Sequence, residues 1–180
     1  MSIEVQNAKI VVQKKVLLKD LSFIIPSNKL SIILGPSGCG KTSLIKWMSA
    51  QCTTENKSSG IMIYDGMRVK KHSEIIGNIM YIPSSTNTIN LTVEEAFAFE
   101  FSLSKKLTTI EFVIGRCELT HVRTSLLQNL SDGEKRRFTI GSALIKGART
   151  VLLDEPLSGL DSTTAINIVR LLQDMTSYCT

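Results

Sequence analysis

No apolar run in this sequence approaches the roughly 20 residues that a helix needs to cross a bilayer. The first residues, MSIEVQ, are mixed in character and lack the charged leader and apolar block of a secretory signal. We therefore expect a soluble, intracellular chain.

Cysteine is sparse and has no metal-binding spacing. The 4 cysteines of the 180-residue sequence are Cys39, Cys52, Cys117 and Cys179. They are widely scattered and include no CxxC pair, which disfavours both a zinc site and a disulfide framework. We expect reduced thiols without a functional role.

Charge of one sign is not concentrated either. The formal net charge is +5, and the local basic cluster at residues 68–72 has no aromatic residues interleaved for stacking on bases. We predict a solvated loop there and no nucleic-acid partner.

With 43% apolar and 21% charged residues, the composition is that of a globular protein. The length suits a single domain spanning residues 1–180.

Apolar, β-branched runs alternate with helical patterns along the chain. The predicted strands are residues 10–12, 21–25, 30–34, 61–64, 79–82 and 151–153. The predicted helices are residues 41–50, 93–103, 109–117, 133–146 and 162–175. This alternation indicates an α/β fold with a parallel centre to its sheet.

The stretch from about residue 91 to 129 interrupts the alternation, because it has helical patterns and no convincing strand. We predict a helical arm inserted into the sheet domain. Phe97 and Phe101 lie four residues apart on one face of a predicted arm helix, where we expect them to form the core of the arm.

A glycine-rich segment, GPSGCGKT at residues 35–42, lies between a predicted strand and a predicted helix. It fits the phosphate-loop pattern G-x-x-x-x-G-K-[ST] at every fixed position, whereas a simple packing turn would need neither the lysine nor the threonine. Inward-facing backbone N–H groups and the helix dipole make such a loop an anion site. Lys41 would reach the β- and γ-phosphates, and the Thr42 hydroxyl would bind Mg²⁺. The predicted phosphate-binding residues are Gly35, Pro36, Ser37, Gly38, Cys39, Gly40, Lys41, Thr42 and Ser43.

A pair of carboxylates ends the predicted strand at residues 151–153. Asp154 follows the apolar run and is the candidate Mg²⁺ ligand beside Thr42. Glu155 is next in the chain, where it would polarise an attacking water as a general base. The alternative is an ordinary polar strand terminus, which the phosphate loop earlier in the chain disfavours. The sequence thus predicts Lys41 and Glu155 as catalytic residues.

The segment LSDGEKRR, residues 130–137, lies between these two motifs. Ser131 and Glu134 have the spacing of a capping box, which starts a helix whose N-terminal amides can face an anion. The segment resembles the LSGGQ-type signature of ATP-binding cassette (ABC) ATPases, and the order of the motifs matches that family. SGLD at residues 158–161 resembles the D-loop of the family. LDEPLSGLDSTTA at residues 153–165 and LTVEE at residues 91–95 are most similar to the White-type, or G, subfamily.

The resemblance implies a P-loop NTPase sheet core with N-terminal antiparallel β strands and an inserted helical arm. It implies ATP and Mg²⁺ as cofactors, and a second nucleotide-binding domain as partner in a homo- or heterodimer. Ser131 and Gly133 would complete the ATP site of that partner. Hydrolysis on dimerisation would power a transmembrane transporter domain at the cytoplasmic face of a membrane. Two alternatives stay open: an ATP-binding, non-hydrolysing regulatory cassette, and a soluble ABC ATPase without a transporter.

The nucleotide-contacting positions of the family pattern are not all filled. The Q-loop glutamine, which touches magnesium and senses the transport domain in the family, is replaced by Ser84, or by Pro83 if the count runs back from LTVEE. Residues 9–16 contain no aromatic side chain to stack on adenine, and Asp132 replaces the first signature glycine. We expect weaker coupling and no encoded preference for adenine.

The switch histidine of the family follows the strand after the Asp-Glu pair. The sequence contains 2 histidines, His72 and His121, and both precede that pair. Neither can therefore replace the switch histidine. We interpret the chain as a C-terminally incomplete cassette.

Overall fold

The computed structural model, which describes residues 2–51, 58–70, 74–75, 77–85, 89–104 and 108–177, begins with an antiparallel sheet. Strand β1 (Ile3–Val12) pairs with β2 (Lys15–Ile25) on one side and with β3 (Ser59–Tyr64) on the other. The short strand β4 (Met67–Arg68) pairs antiparallel with β3 at the edge of this sheet. Gln13 and Lys14 join β1 to β2, and both have the positive φ that suits a tight hairpin turn. The N-terminal antiparallel strands implied by the family resemblance are present.

The antiparallel sheet buries one face against the first helix. Alternate residues of β1 point inward, and irregular pairing after Val5 shifts the alternation before it resumes at Ala8. Helix α1 (Lys41–Met48) contributes Leu44 and Met48 to the same apolar cluster. The helix that follows the glycine-rich loop is therefore fixed to the N-terminal sheet by its buried side chains.

A parallel pair of strands forms the second sheet. Strand β5 (Ile79–Ile82) pairs with β6 (Thr150–Leu153) in register from Ile79 opposite Thr150 to Ile82 opposite Leu153. Both strands were predicted, and so was a parallel centre. The backbone N–H of Asp154 donates to the Ile82 carbonyl oxygen at 2.9 Å, which extends the ladder by one residue beyond β6. The parallel pairing thus fixes the backbone at the start of the Asp-Glu pair.

The prediction of a strand at residues 30–34 is wrong. These residues have no regular secondary structure, and residues 31–34 make no backbone–backbone hydrogen bond to any other described residue. The side chains of residues 31–34 are exposed, Ile32 to 73% and Leu34 to 88%, whereas Leu30 is partly buried against the helical cluster. An apolar pattern reports a preference for burial, but a strand also needs a neighbour with which to form a ladder. In the described part of the chain, β6 has β5 as its one partner.

Four further helices form the other half of the fold. Helices α2 (Val93–Ser102), α3 (Ile110–Arg116), α4 (Asp132–Ile145) and α5 (Ser162–Met175) share one apolar cluster. Its centre contains the Phe97 ring, which is fully buried and stacks on Phe138 with ring centroids 4.6 Å apart. Phe101 packs against the same cluster, which also contains residues of α4 and α5, so its place in the core of a separate arm stays a prediction.

The helices begin and end close to the predicted residues. Thr92, Thr109, Ser131 and Asp161 accept backbone hydrogen bonds as N-caps, and these are the residue types that favour this role. Helix α1 ends at Met48, before the predicted residue 50, because Ala50 has a positive φ. No helix among the described residues has the length and apolar character needed to cross a membrane.

The residues of the predicted arm contain α2 and α3, two short 3-10 helices (Thr120–Val122 and Leu127–Asn129) and an isolated bridge between Thr92 and Leu126. The separation of this stretch as an arm stays a prediction.

Cys39 and Cys117 are free thiols, whereas Cys52 and Cys179 lie outside the described residues. Lys71 and His72 of the predicted basic loop also lie outside them.

Candidate nucleotide-binding site

The loop at residues 35–42 turns back on itself before α1 begins. Gly38 and Gly40 have φ values of 77° and 101°, in the left-handed region that favours glycine. A Cβ atom on Gly35 would lie 2.8 Å from the Cys39 Sγ, so the two ends of the turn are in close contact. Gly40 is the N-cap of α1, and no side chain of the described residues caps this helix. The first N–H groups of α1 are therefore free to face an anion.

The ammonium group of Lys41 lies across the same loop. Its Nζ donates to the carbonyl oxygen of Gly35 at 2.8 Å and to that of Pro36 at 2.9 Å. Both acceptors are neutral and exposed to solvent, so a phosphate oxygen would offer a stronger, charge-assisted hydrogen bond. The arrangement places a positive charge against the carbonyl oxygens at the start of the loop.

Thr42 and Asp154 come together although they are far apart in the sequence. The Thr42 hydroxyl donates to Asp154 Oδ1 at 2.9 Å, and the carboxylate belongs to a residue that is only 5% exposed. Helix α1 supplies the threonine, and the end of β6 supplies the aspartate. The structure thus joins the phosphate loop to the candidate metal ligand.

A third side chain, which the sequence analysis missed, contacts this carboxylate. The Tyr81 hydroxyl donates to Asp154 Oδ2 at 3.3 Å. Burial, followed by the charge and hydrogen bond of Asp154, raises the pKa of Tyr81 above its usual value, so the hydroxyl stays protonated at neutral pH. The sequence offered one signal for this contact. A tyrosine in an apolar strand is partly buried, and its hydroxyl then needs a hydrogen-bond partner.

This pair of oxygen donors suits Mg²⁺ better than a transition metal. The described residues contain no group of three or more His, Cys, Asp and Glu side chains able to enclose a metal ion. Mg²⁺ does not require such a group, since it is held by one or two carboxylates together with substrate phosphates and water. The Thr42 hydroxyl and the Asp154 carboxylate beside a phosphate loop fit that pattern.

Glu155 adopts an unusual backbone conformation. Its φ is 47°, in the left-handed region, where a residue with a side chain is strained. The residue is exposed at the start of the turn that follows β6. Strain of this kind concentrates at functional sites. Its role as general base stays a prediction.

The capping box predicted at the start of α4 is confirmed. Ser131 N–H donates to Glu134 Oε2 at 2.8 Å, and Glu134 N–H donates back to Ser131 Oγ at 3.4 Å. The Ser131 hydroxyl also donates to Glu134 Oε2 at 2.7 Å, and Glu134 Oε1 lies 2.9 Å from His121 Nε2. The hydrogen bonds from Ser131 are the main cause that lowers the pKa of Glu134, and His121 adds to the effect.

Gly133 is needed for the contact between two helices. A Cβ atom at this position would lie 2.6 Å from Thr164 Cγ2 on α5. Among the described residues, no hydrogen bond links Ser131 or Gly133 to residues 35–43 or to Asp154.

Arg136 was also missed by the sequence analysis. It is 6% exposed, and its guanidinium donates to the carbonyl oxygens of Pro83 at 2.9 Å and Ser84 at 2.7 Å. Burial lowers the pKa of Arg136. The sequence offered one signal for its burial: Arg136 lies three residues after Gly133 and four before Ile140, which places it on the buried face of α4.

A polar cavity lies where the loop after β5, the start of α4 and the turn before α5 meet. Its volume is about 360 Å³, and its lining consists of Ser84, Ser85, Asp132, Lys135, Arg136, Ser158 and Leu160. Asp161, in the segment that resembles the D-loop, is not among them; its carboxylate caps α5 by accepting from the N–H groups of Thr163 and Thr164, both at 3.0 Å. These hydrogen bonds, with the Thr164 side chain first, lower the pKa of Asp161.

The fold and the phosphate loop define a nucleotide-binding domain of the P-loop class. The sequence model of the ABC transporter family matches residues 18–158. The chain therefore belongs to the ABC transporter family, as its motifs indicated, and the members of this family are ATPases.

Relatives of this chain are members of the G subfamily. ABC transporter G family member 4 of Arabidopsis thaliana is 32% identical over 91% of the chain, and G family member 2 of Dictyostelium discoideum is 29% identical over 91%. The chain spans 29% and 13% of these two relatives. A putative ABC transporter ATP-binding protein of Pyrococcus furiosus has a TM-score of 0.82 at 22% identity, over 99% of this chain and 88% of that structure. The predicted G-subfamily resemblance and the fold class are both confirmed.

Proposed function

We propose that the chain is a single nucleotide-binding domain that binds MgATP and hydrolyses it when two such domains dimerise, thereby powering a transmembrane transporter partner at the cytoplasmic face of a membrane. The observation that carries the proposal is the hydrogen bond between Thr42 and Asp154. It joins the helix of the phosphate loop to the end of β6, which are the two elements that must act on one bound nucleotide.

Residues 35–43 hold the phosphates in this proposal. The free N–H groups at the start of α1 and the flexible ammonium of Lys41 supply the positive potential. Thr42 and Asp154 supply the oxygen ligands for the metal. A Mg²⁺ ion held by these two groups would neutralise phosphate charge and help to orient the terminal phosphate.

Hydrolysis then requires a base and positioned charge. Glu155 accepts a proton from water as the water oxygen bonds to the γ-phosphorus, the bond to the β,γ-bridging oxygen breaks and ADP leaves. Lys41 stabilises the charge that develops on the phosphate oxygens. The exposed position of Glu155 beside buried Asp154 supports this assignment. Catalysis of this kind depends mainly on positioning and electrostatics.

The second domain completes each site. Ser131 and Gly133 lie at the N-terminus of α4, where backbone amides can face an anion. By resemblance to the family signature, they would face the γ-phosphate held by the partner domain. The helices α2 and α3 would lie in the arm that docks on the transporter.

Phosphate release from ATP by the purified protein tests the proposal. Release that requires Mg²⁺ is expected, and Glu155→Gln should abolish it while retaining ATP binding and accumulating a dimer in light scattering. Glu118→Gln, another exposed glutamate, is the matched control and should behave as the unaltered protein. Absence of ATP binding to the unaltered protein would refute the proposal.

A second candidate is an ATP-gated cassette that binds nucleotide without turnover. Ser84, or Pro83 if the count runs back from LTVEE, stands where the family pattern has the Q-loop glutamine, and each contacts Arg136 through its backbone carbonyl oxygen. A serine side chain is too short to act as the glutamine does. ATP-dependent dimerisation without phosphate release, in both the unaltered protein and Glu155→Gln, would favour this candidate.

A further inference from the structure

The two oxygen atoms of the Asp154 carboxylate have different partners. Oδ1 accepts from the Thr42 hydroxyl at 2.9 Å, and Oδ2 accepts from the Tyr81 hydroxyl at 3.3 Å. The longer of these hydrogen bonds is also the weaker. It therefore contributes more to the orientation of the carboxylate than to the stability of the protein. With both oxygens engaged, rotation of the carboxylate about its own axis is opposed from two sides.

The strand register explains why Tyr81 reaches this carboxylate. Tyr81 of β5 is paired with Leu152 of β6, and side chains of paired residues lie on the same face of a sheet. Asp154 lies two residues after Leu152 and continues that face. The tyrosine hydroxyl therefore extends along the sheet surface toward the end of β6.

The ring of Tyr81 is anchored by the core. It packs against the apolar cluster that contains Leu152 together with Leu44 and Ile45 of α1. Helix α1 also carries Thr42, so one packed cluster fixes the positions of both groups that bind the carboxylate. A hydroxyl on an anchored ring is a more rigid donor than one on a flexible side chain.

We propose, resting on the MgATP site above, that Tyr81 is a positioning residue that holds Asp154 Oδ2 and leaves Oδ1 to the metal, which favours Mg²⁺ over Ca²⁺. Mg²⁺ demands near-ideal octahedral geometry and takes few protein oxygens, whereas Ca²⁺ accepts carboxylates through both oxygens and tolerates irregular geometry. A carboxylate with one oxygen restrained by Tyr81 suits Mg²⁺. Without that hydrogen bond, both oxygens of the carboxylate would be able to chelate Ca²⁺.

Nucleotide affinity in the presence of different cations tests this proposal without any catalytic readout. The probe is the non-hydrolysable β,γ-imido analogue of ATP, and its dissociation constant is measured by calorimetry in EDTA, in Mg²⁺ and in Ca²⁺. The test variant is Tyr81→Phe, which keeps the ring and its packing and removes only the hydroxyl. The expected result is a loss of about threefold to tenfold in the preference for Mg²⁺ over Ca²⁺, with unchanged affinity in EDTA.

Tyr64→Phe is the matched control. Its hydroxyl lies 3.2 Å from Thr150 Oγ1, at the opposite end of β6 from Asp154, and Tyr64 is more buried than Tyr81, so the variant likewise removes a tyrosine hydroxyl that contacts β6. This variant should keep the cation preference of the unaltered protein. A Tyr81→Phe preference equal to that of the control would overturn the proposal for Tyr81 and leave the MgATP site intact. Equal affinity of the unaltered protein in all three solutions would overturn both.

Discussion

Arg136 on α4 donates a hydrogen bond of 2.7 Å to the backbone carbonyl oxygen of Ser84, in the loop after β5. A second hydrogen bond goes to the carbonyl of the preceding Pro83. The signature helix is thereby fastened to the loop in which the family pattern has a glutamine. Because the contact uses carbonyl oxygens, it does not depend on which side chain stands at residue 84.

Replacement of Arg136 by methionine should destabilise the protein by about 2–4 kcal/mol, because two carbonyl oxygens in a partly buried region lose their donors. Urea unfolding followed by circular dichroism measures the loss. Arg123→Met is the control, since that arginine binds Glu94 and Glu111 at the surface and its loss should have a smaller effect. Equal losses in the two variants would contradict the structural role assigned to Arg136.

Lys41→Ala should abolish nucleotide binding and leave the stability of the protein nearly unchanged. The lysine donates only to exposed carbonyl oxygens in the described structure, so its loss costs little in the absence of a ligand. Calorimetric titration with MgATP measures the binding, and thermal unfolding measures the stability. Lys46→Ala removes an exposed lysine of the same helix and should bind nucleotide normally. Retained binding in Lys41→Ala would argue against the phosphate-loop assignment.

Gly133→Ala should destabilise the protein by about 1–3 kcal/mol, because its methyl group would meet Thr164 Cγ2 at 2.6 Å. Thr164→Ser removes that methyl and keeps the hydroxyl that donates to Asp161 at 2.6 Å. The double variant should therefore recover most of the lost stability in a double-mutant cycle. Additive losses would show that close packing of α4 on α5 is not the reason for glycine at residue 133.

The lowered pKa of Glu134 predicts a pH-dependent contribution to stability. A carboxyl whose pKa is depressed by folding stabilises the protein above the unfolded pKa, about 4.3 for glutamate, and this stability is lost as the pH falls through the folded value. Glu134→Gln keeps an acceptor for the capping box but removes the charge. It should cost about 0.5–1 kcal/mol at pH 7, and the difference should shrink below about pH 4. Urea unfolding at several pH values checks this, and a constant difference would contradict it.

The features that could be predicted from the sequence depend on local signals. Helix starts at Thr92, Ser131 and Asp161 follow from residues whose side chains satisfy N–H groups within the next turn. The phosphate loop likewise depends on glycines at fixed positions, and its positive φ values are a property of the residues themselves. Such features need no knowledge of the rest of the fold.

The features that the sequence analysis missed depend on distant partners. The run at residues 30–34 is apolar enough for a strand, but a ladder is formed by two segments, and its partner cannot be identified from its own pattern. The contacts of Tyr81 with Asp154 and of Arg136 with Ser84 join residues on different elements. The motifs identify the residues expected to bind a nucleotide, whereas the side chains that position those residues can be identified only from the tertiary structure.

The position of Lys41 has a consequence for the energetics of the loop. The Lys41 ammonium already donates to two carbonyl oxygens of the loop. An incoming phosphate would therefore replace these two acceptors and would not add hydrogen bonds to unused N–H groups. The gain is the difference between charge-assisted and neutral hydrogen bonds, which is smaller than the full strength of the new ones. In the proposed ATPase cycle, the same exchange would ease product release, because the ammonium could return to the carbonyl oxygens. The loop would thus bind phosphate less tightly but more reversibly, which suits a site that empties after each turnover.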